Sequence, residues 1–158
     1  MKSAKVLDVR AVVSELEIRI DAPRERVWKA LVDELDAWWL SDYCMLGEGS
    51  KVTLETEAGG HMIERHPDGG SLLWYVVQWC KPGEFLYLYS PLSHEFGGPA
   101  GTLLKLALEE TAAKTTLKVT QEMYGHVADG CVESLEEGWK QIFSDGLKRY
   151  VEGGSRDE

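Results

Sequence analysis

The sequence predicts an α+β domain in which one long C-terminal helix lies across a curved antiparallel sheet. Two patterns predict it. Residues 129–152 keep an apolar period of three and four, and residues 50–123 break into short runs of period two separated by turn residues. A third pattern opens the chain: one alternating run, then two short helical segments. An antiparallel sheet that is apolar on one face must cover that face. Residues 129–152 are the stretch long enough to do it.

Taken in order, residues 9–21 read as the first strand, with Val12, Leu16, Ile18 and Ile20 on one face and Val13, Glu15, Glu17 and Arg19 on the other. Pro23 ends it and suits the first turn of a helix over residues 24–35, whose inner face is Val27, Trp28, Leu31 and Leu35. Residues 36–40 form a second short helix carrying Trp38 and Trp39. Strands follow at 50–57, 61–66, 71–80 and 85–90, separated by Gly59-Gly60, by Pro67-Asp68-Gly69-Gly70 and by Lys81-Pro82-Gly83-Glu84. Residues 91–101, with Gly97, Gly98, Pro99 and Gly101, read as a loop, either a flexible lid or a plain turn. Residues 102–110 and 115–123 make a last hairpin. In the final helix Val132, Leu135, Trp139, Ile142, Phe143, Gly146, Leu147 and Tyr150 share one face, and Glu137, Gln141, Asp145 and Lys148 the other. Asp129 is the expected N-cap, and Gly153-Gly154 the stop. One domain spans residues 1–153, and 154–158 read as a disordered tail.

Composition narrows the partners. The 158 residues carry 27 acidic against 17 basic side chains, a formal net charge of -10. Phosphate binding needs a basic patch, so a nucleic-acid partner is not expected, nor is an anionic membrane surface. No run reaches membrane-spanning length, and the N-terminus lacks the apolar core of a signal peptide. Cys44, Cys80 and Cys131 are odd in number and widely spaced, as in a reduced cytoplasmic protein.

Three segments carry a family likeness. They are IRIDAPRERVWKALVD (18–33) followed by Trp38-Trp39, VVQWCKPGEFLYLYS (76–90), and EGWKQIFSDGLKRYVE (137–152). Together they resemble the SRPBCC superfamily of START and birch-pollen-allergen-like domains, the helix-grip fold. The likeness is greatest to the branch of homologues of the Hsp-ninety ATPase activator. The resemblance implies an internal apolar cavity between helix and sheet. The co-chaperone itself carries a further N-terminal domain for which this length leaves no room, which argues against a chaperone partner.

A long helix across a curved sheet can leave a gap at one end, and strand alternation nominates its walls. These are Ile63 and Arg65; Trp74, Val76 and Gln78; Phe85, Tyr87 and Tyr89; Leu104, Leu106 and Leu108; Leu117, Val119 and Gln121. The helix adds Leu135, Trp139 and Phe143, and Trp39 and Tyr43 could close the mouth. Glu136 lies at the edge of the apolar stripe, where a desolvated carboxylate could orient or protonate a ligand; Arg65 is its nearest candidate partner. His61 and His66 point to opposite strand faces, and His94 and His126 lie apart from them, so no metal site is expected. No cofactor is expected either.

The first reading is a binding protein for a small hydrophobic molecule, lipid, aromatic or polyketide-like, in a cavity of several hundred Å³. Tight filling of that space by side chains would defeat it. The second is a cyclase- or hydrolase-type enzyme using Glu136, Arg65 or a pocket Tyr, which needs at least two polar groups converging in the cavity. The third is an interaction module, a homodimer or a chaperone-associated stress-response protein, which needs an exposed apolar patch outside the pocket.

Overall fold

Strand β1 (Arg10–Ile20) is followed by helix α1 (Arg24–Asp33), a single turn α2 (Leu35–Trp38) and a 3-10 turn (Ser41–Tyr43). Six strands come next: β2 (Lys51–Leu54), β3 (His61–Arg65), β4 (Ser71–Lys81), β5 (Phe85–Leu92), β6 (Ala100–Thr111) and β7 (Lys114–Gly125). The C-terminal helix closes the chain. It begins as α3 (Cys131–Gln141), widens to a π-helix over Ile142–Lys148 and ends with the turn Arg149–Val151. This computed structural model describes residues 3–92 and 97–153; His94 and the tail expected at 154–158 lie outside the described residues.

The strands form one sheet in the order β1-β7-β6-β5-β4-β3-β2, and every neighbouring pair is antiparallel. The segment from β1 to β2 therefore crosses from one edge to the other, and it does so through α1 and α2 on the inner face. That face meets the C-terminal helix. Ile18 and Ile20, Leu86 and Leu88, Leu104 to Leu108, and Leu117 and Val119 are buried against Trp139, Ile142, Phe143 and Leu147.

Four local expectations change. Helix α3 starts from Gly130 in the left-handed region (φ 78°) with no side-chain cap, and Asp129 instead accepts from Arg10 Nη2 at 3.3 Å. The C-terminal helix is not uniformly α. Its wide stretch contains Gly146, which lies against Trp38; a Cβ there would stand 2.8 Å from the Trp38 carbonyl oxygen. Strand β2 is shorter than read and stops at Leu54. Ala100 and Gly101 belong to β6, and Gly97 and Pro99 accept backbone bonds from Ala128 and His126, so this part of the supposed lid is tied to the helix approach. Gly153 ends the helix as expected, at φ 94°.

Candidate functional site

The interior between helix and sheet is where a ligand was expected, and side chains almost fill it. Twelve apolar residues from α1, α2, β2, β3, β5, β6 and the C-terminal helix enclose a void of about 20 Å³. That is the room of one water, not of several hundred Å³. Trp38, Trp39, Trp139 and Phe143 form its aromatic side, with Trp139 stacked on Phe143 at 5.5 Å and 18°. Leu86, Leu88, Leu104 and Leu106 form its floor.

Two polar atoms in this interior lack a hydrogen-bond partner among the described residues. Trp139 Nε1 and Gln121 Oε1 are both buried without a hydrogen bond, in residues 6% and 3% exposed. Trp139 lines the void, whereas Gln121 sits opposite Leu104, which also lines it, and donates from Nε2 to Thr102 Oγ1 at 3.3 Å. The other two indoles on the wall are satisfied: Trp38 donates to Ala30 O (2.7 Å) and Trp39 to Tyr43 O (3.4 Å). Burial alone pushes the hydroxyl of Tyr75, which packs on Trp139, far above the usual tyrosine range.

The inner face also holds a fully buried carboxylate that sequence reasoning missed. Glu64 accepts from Leu46 N (2.8 Å), Met45 N (3.1 Å) and Trp74 Nε1 (3.0 Å). It pins the loop after the 3-10 turn and orients Trp74, whose ring meets Trp39 edge-on at 5.5 Å. The run His61-Met62-Ile63-Glu64-Arg65 alternates equally well in either phase, so the strand gave no hint of which charge is inside.

The nominated residues divide. Trp39, Trp74, Leu104, Leu106, Leu108, Leu117, Val119, Gln121, Trp139 and Phe143 do face the interior. Leu135 is half-buried, and Tyr43 stands beside Gly138, its hydroxyl donating to Gln141 Oε1 at 2.6 Å. Desolvation, with Glu137 nearby, raises the Tyr43 hydroxyl above its usual value. Ile63, Arg65, Val76, Gln78, Phe85, Tyr87 and Tyr89 point to the outer face instead. For β3 the inward residues are Met62 and Glu64. For β4 the register slips at two bulges, one placing Trp74 and Tyr75 together on the inside and one at Gln78. For β5 both faces are apolar, and the leucines, not the aromatics, turn inward. Glu136 is exposed and lines an open surface hollow of about 410 Å³ with Glu15, Leu16, Glu133, Glu137 and Lys140. Arg65 hydrogen-bonds Thr53 on the far face, so the pair does not meet. Among the described residues no three His, Cys, Asp or Glu side chains converge as a metal site would require. No helix among them is long and apolar enough to cross a membrane.

The model of the family described as Activator of Hsp90 ATPase homolog 1-like protein matches residues 21–152. No curated protein matches the chain in sequence. Among solved structures, an uncharacterised protein from Rhizobium leguminosarum is 16% identical with a TM-score of 0.66, over 94% of this chain and 99% of that one. CalU16 from Micromonospora echinospora is 17% identical with a TM-score of 0.63, over 94% and 86%. DynU16, a protein in the dynemicin biosynthetic locus, is 20% identical with a TM-score of 0.65, over 91% of this chain and 48% of its own. At these identities the likeness establishes the fold.

Proposed function

The chain belongs to the Activator of Hsp90 ATPase homolog 1-like family, and from that premise we propose that it binds a compact aromatic molecule between its C-terminal helix and its sheet. The observation that carries this reading is the Trp139 indole N–H, a buried donor without a protein acceptor on the wall of an apolar void. Leaving such a donor unpaired costs about 1–3 kcal/mol, which an acceptor oxygen on a ligand would recover. Gln121 Oε1, on β7 opposite Leu104 and not itself on the wall of the void, is a second buried polar atom on the sheet side. A void of about 20 Å³ admits only a water-sized guest, so a larger ligand enters by lifting α3. That helix buries a single side chain, Trp139, so the motion unpacks little else. A long lipid chain would demand far more displacement, which favours a compact planar guest. The catalytic alternative needs two polar groups converging in the cavity, and among the residues lining the void only Trp139 presents an unspent one.

The test uses the full chain. Native mass spectrometry of freshly purified protein reads any retained molecule. Titration with indole and 2-naphthol, followed at the Trp139 indole N–H resonance, reads binding directly. The expected result is a saturable shift of that resonance in the native chain, and an affinity, read by calorimetry in both proteins, that is about tenfold weaker in Trp139→Phe. Unfolding free energy should change little in the same variant, because relief of the unpaired donor offsets the packing lost with the smaller ring. No retained mass and an unmoved indole resonance at millimolar probe would refute the proposal.

A further inference from the structure

The outer face of the sheet carries a second aromatic cluster that the interior does not use. Trp79, Phe85 and Tyr87 pack against one another, with ring centroids 4.6, 5.4 and 5.0 Å apart. Lys105, held by Glu122, lies 5.6 Å from the Tyr87 ring centroid and fixes it from the other side. The cluster is open to water: Trp79 is 57% exposed. Contiguous apolar surface of this kind on a sheet face marks an interaction site, and Trp and Tyr are the residues that anchor one.

Charge selects the occupant. At one edge, Glu15 and Glu17 are exposed on β1; at the other, Lys51 and Arg65 are exposed on β2 and β3. None of the four makes a salt bridge among the described residues, although Lys118, level with Glu17 on β7, lies near enough to interact with Glu17 and Glu15. The pairing registers put Glu15 level with Tyr87, and Glu17 level with Phe85. Tyr89 is level with Val76 and His61, and Arg65 lies four residues beyond His61 in the opposite direction. The acidic and basic corners are therefore diagonally opposed, with Tyr89 and Trp79 between them. A two-fold axis lying in the contact plane and bisecting that diagonal runs along the aromatic cluster. It sets the acidic corner of each copy over the basic corner of the other, and the cluster over its own image.

We propose that this face binds a second copy of the chain as an isologous dimer, with Trp79 at its centre and Glu15 and Glu17 against the partner copy's basic corner. Sedimentation or light scattering of the full chain from about 1 to 100 µM tests it. The expected result is a dimer whose dissociation constant rises with salt. Trp79→Glu should raise that constant about 30-fold or more without loss of the folded far-UV spectrum. Reversing Glu15 and Glu17 to Lys should also weaken the dimer, and adding Lys51→Glu and Arg65→Glu in the same chain should restore it. A monomer at the highest concentration overturns the proposal and leaves the face to a different protein. So does a dimer indifferent to Trp79→Glu, or a charge reversal that the compensating pair does not rescue.

Discussion

Replacing Glu64 by Gln tests whether the buried carboxylate holds the mouth of the interior closed. In the native protein Oε1 accepts one backbone N–H, from Leu46, and Oε2 accepts two donors, Met45 N and Trp74 Nε1. An amide can present only one oxygen to this set. With the oxygen toward Met45 and Trp74, its NH2 group meets Leu46 N, donor against donor, at a separation that is now 2.8 Å. That leaves one buried donor unpaired, at about 1–3 kcal/mol. The two surviving bonds lose their charge assistance, which roughly halves each. Relief of carboxylate desolvation offsets part of this loss. The net expectation is a destabilisation of about 2–3 kcal/mol, or a fall in Tm of about 5–10 °C for a domain of this size. Urea unfolding followed by tryptophan fluorescence measures it, and Trp39 and Trp74 near the mouth make the signal local. Trp74→Phe removes one donor and leaves Oε2 its bond to Met45, so about 1 kcal/mol is expected. The two substitutions should couple in a double-mutant cycle by at least about 0.5 kcal/mol. Glu64→Gln within about 0.5 kcal/mol of the parent, or strict additivity with Trp74→Phe, would refute the reasoning.

Gly146→Ala should destabilise by about 1–2 kcal/mol by the same urea assay, although alanine is the better helix former by about 1 kcal/mol. The added Cβ would meet the Trp38 carbonyl oxygen at 2.8 Å and its ring at 3.2 Å, and backbone does not yield cheaply. The β3–β4 turn should titrate. His66 Nδ1 lies 2.9 Å from Asp68 Oδ1 and its Nε2 is 3.0 Å from Glu48 O, so hydrogen bonding to Asp68 raises the imidazole above its usual value. Its contribution to turn stability is complete below the unfolded histidine pKa and is lost as pH rises through the higher folded one. Asp68 runs the other way: the Gly70 amide and then His66 lower it, so its contribution is present above the unfolded value and lost as pH falls through the lower one. NMR titration should find His66 above an ordinary histidine and Asp68 below an ordinary aspartate.

How much of this was legible in the sequence follows from how much each pattern distinguishes. The order of elements and the covering helix were readable because a period of two and a period of 3.6 do not mimic each other over ten residues. The inward faces of β1, β6 and β7 were readable because one set of positions is aliphatic and the other polar or charged, as with Ile18 and Ile20 against Glu17 and Arg19. Bulges defeat that logic. In β4, Trp74 and Tyr75 are neighbours in sequence yet both face inward, and no local residue announces the slip. Glu64 was unreadable for a different reason: its burial depends on donors from Met45 and Leu46, 19 and 18 residues away, which exist only once the loop has folded back.

Strand β5 shows why facing matters more than membership for function. Phe85, Leu86, Tyr87, Leu88 and Tyr89 are apolar at every position, so hydrophobicity alone cannot choose a side. Space under the helix chooses. Trp139 and Phe143 already stack above the floor, and Leu86 and Leu88 fill what remains to within about 20 Å³, where larger rings would overpack it. The displaced rings then have to face outward, where they pack edge-on with Trp79 rather than disperse. Tight filling inside and an aromatic face outside are thus two results of one packing choice. If that is so, enlarging the interior at the floor with Leu86→Ala should strengthen binding of an aromatic probe under α3, at a loss of about 2–5 kcal/mol in stability. The outer face and any assembly built on it should be unchanged, because Leu86 turns away from it. A variant that lost stability by that amount, gained no affinity for indole or naphthol and kept its assembly state would separate the two readings, removing the ligand and leaving the interface.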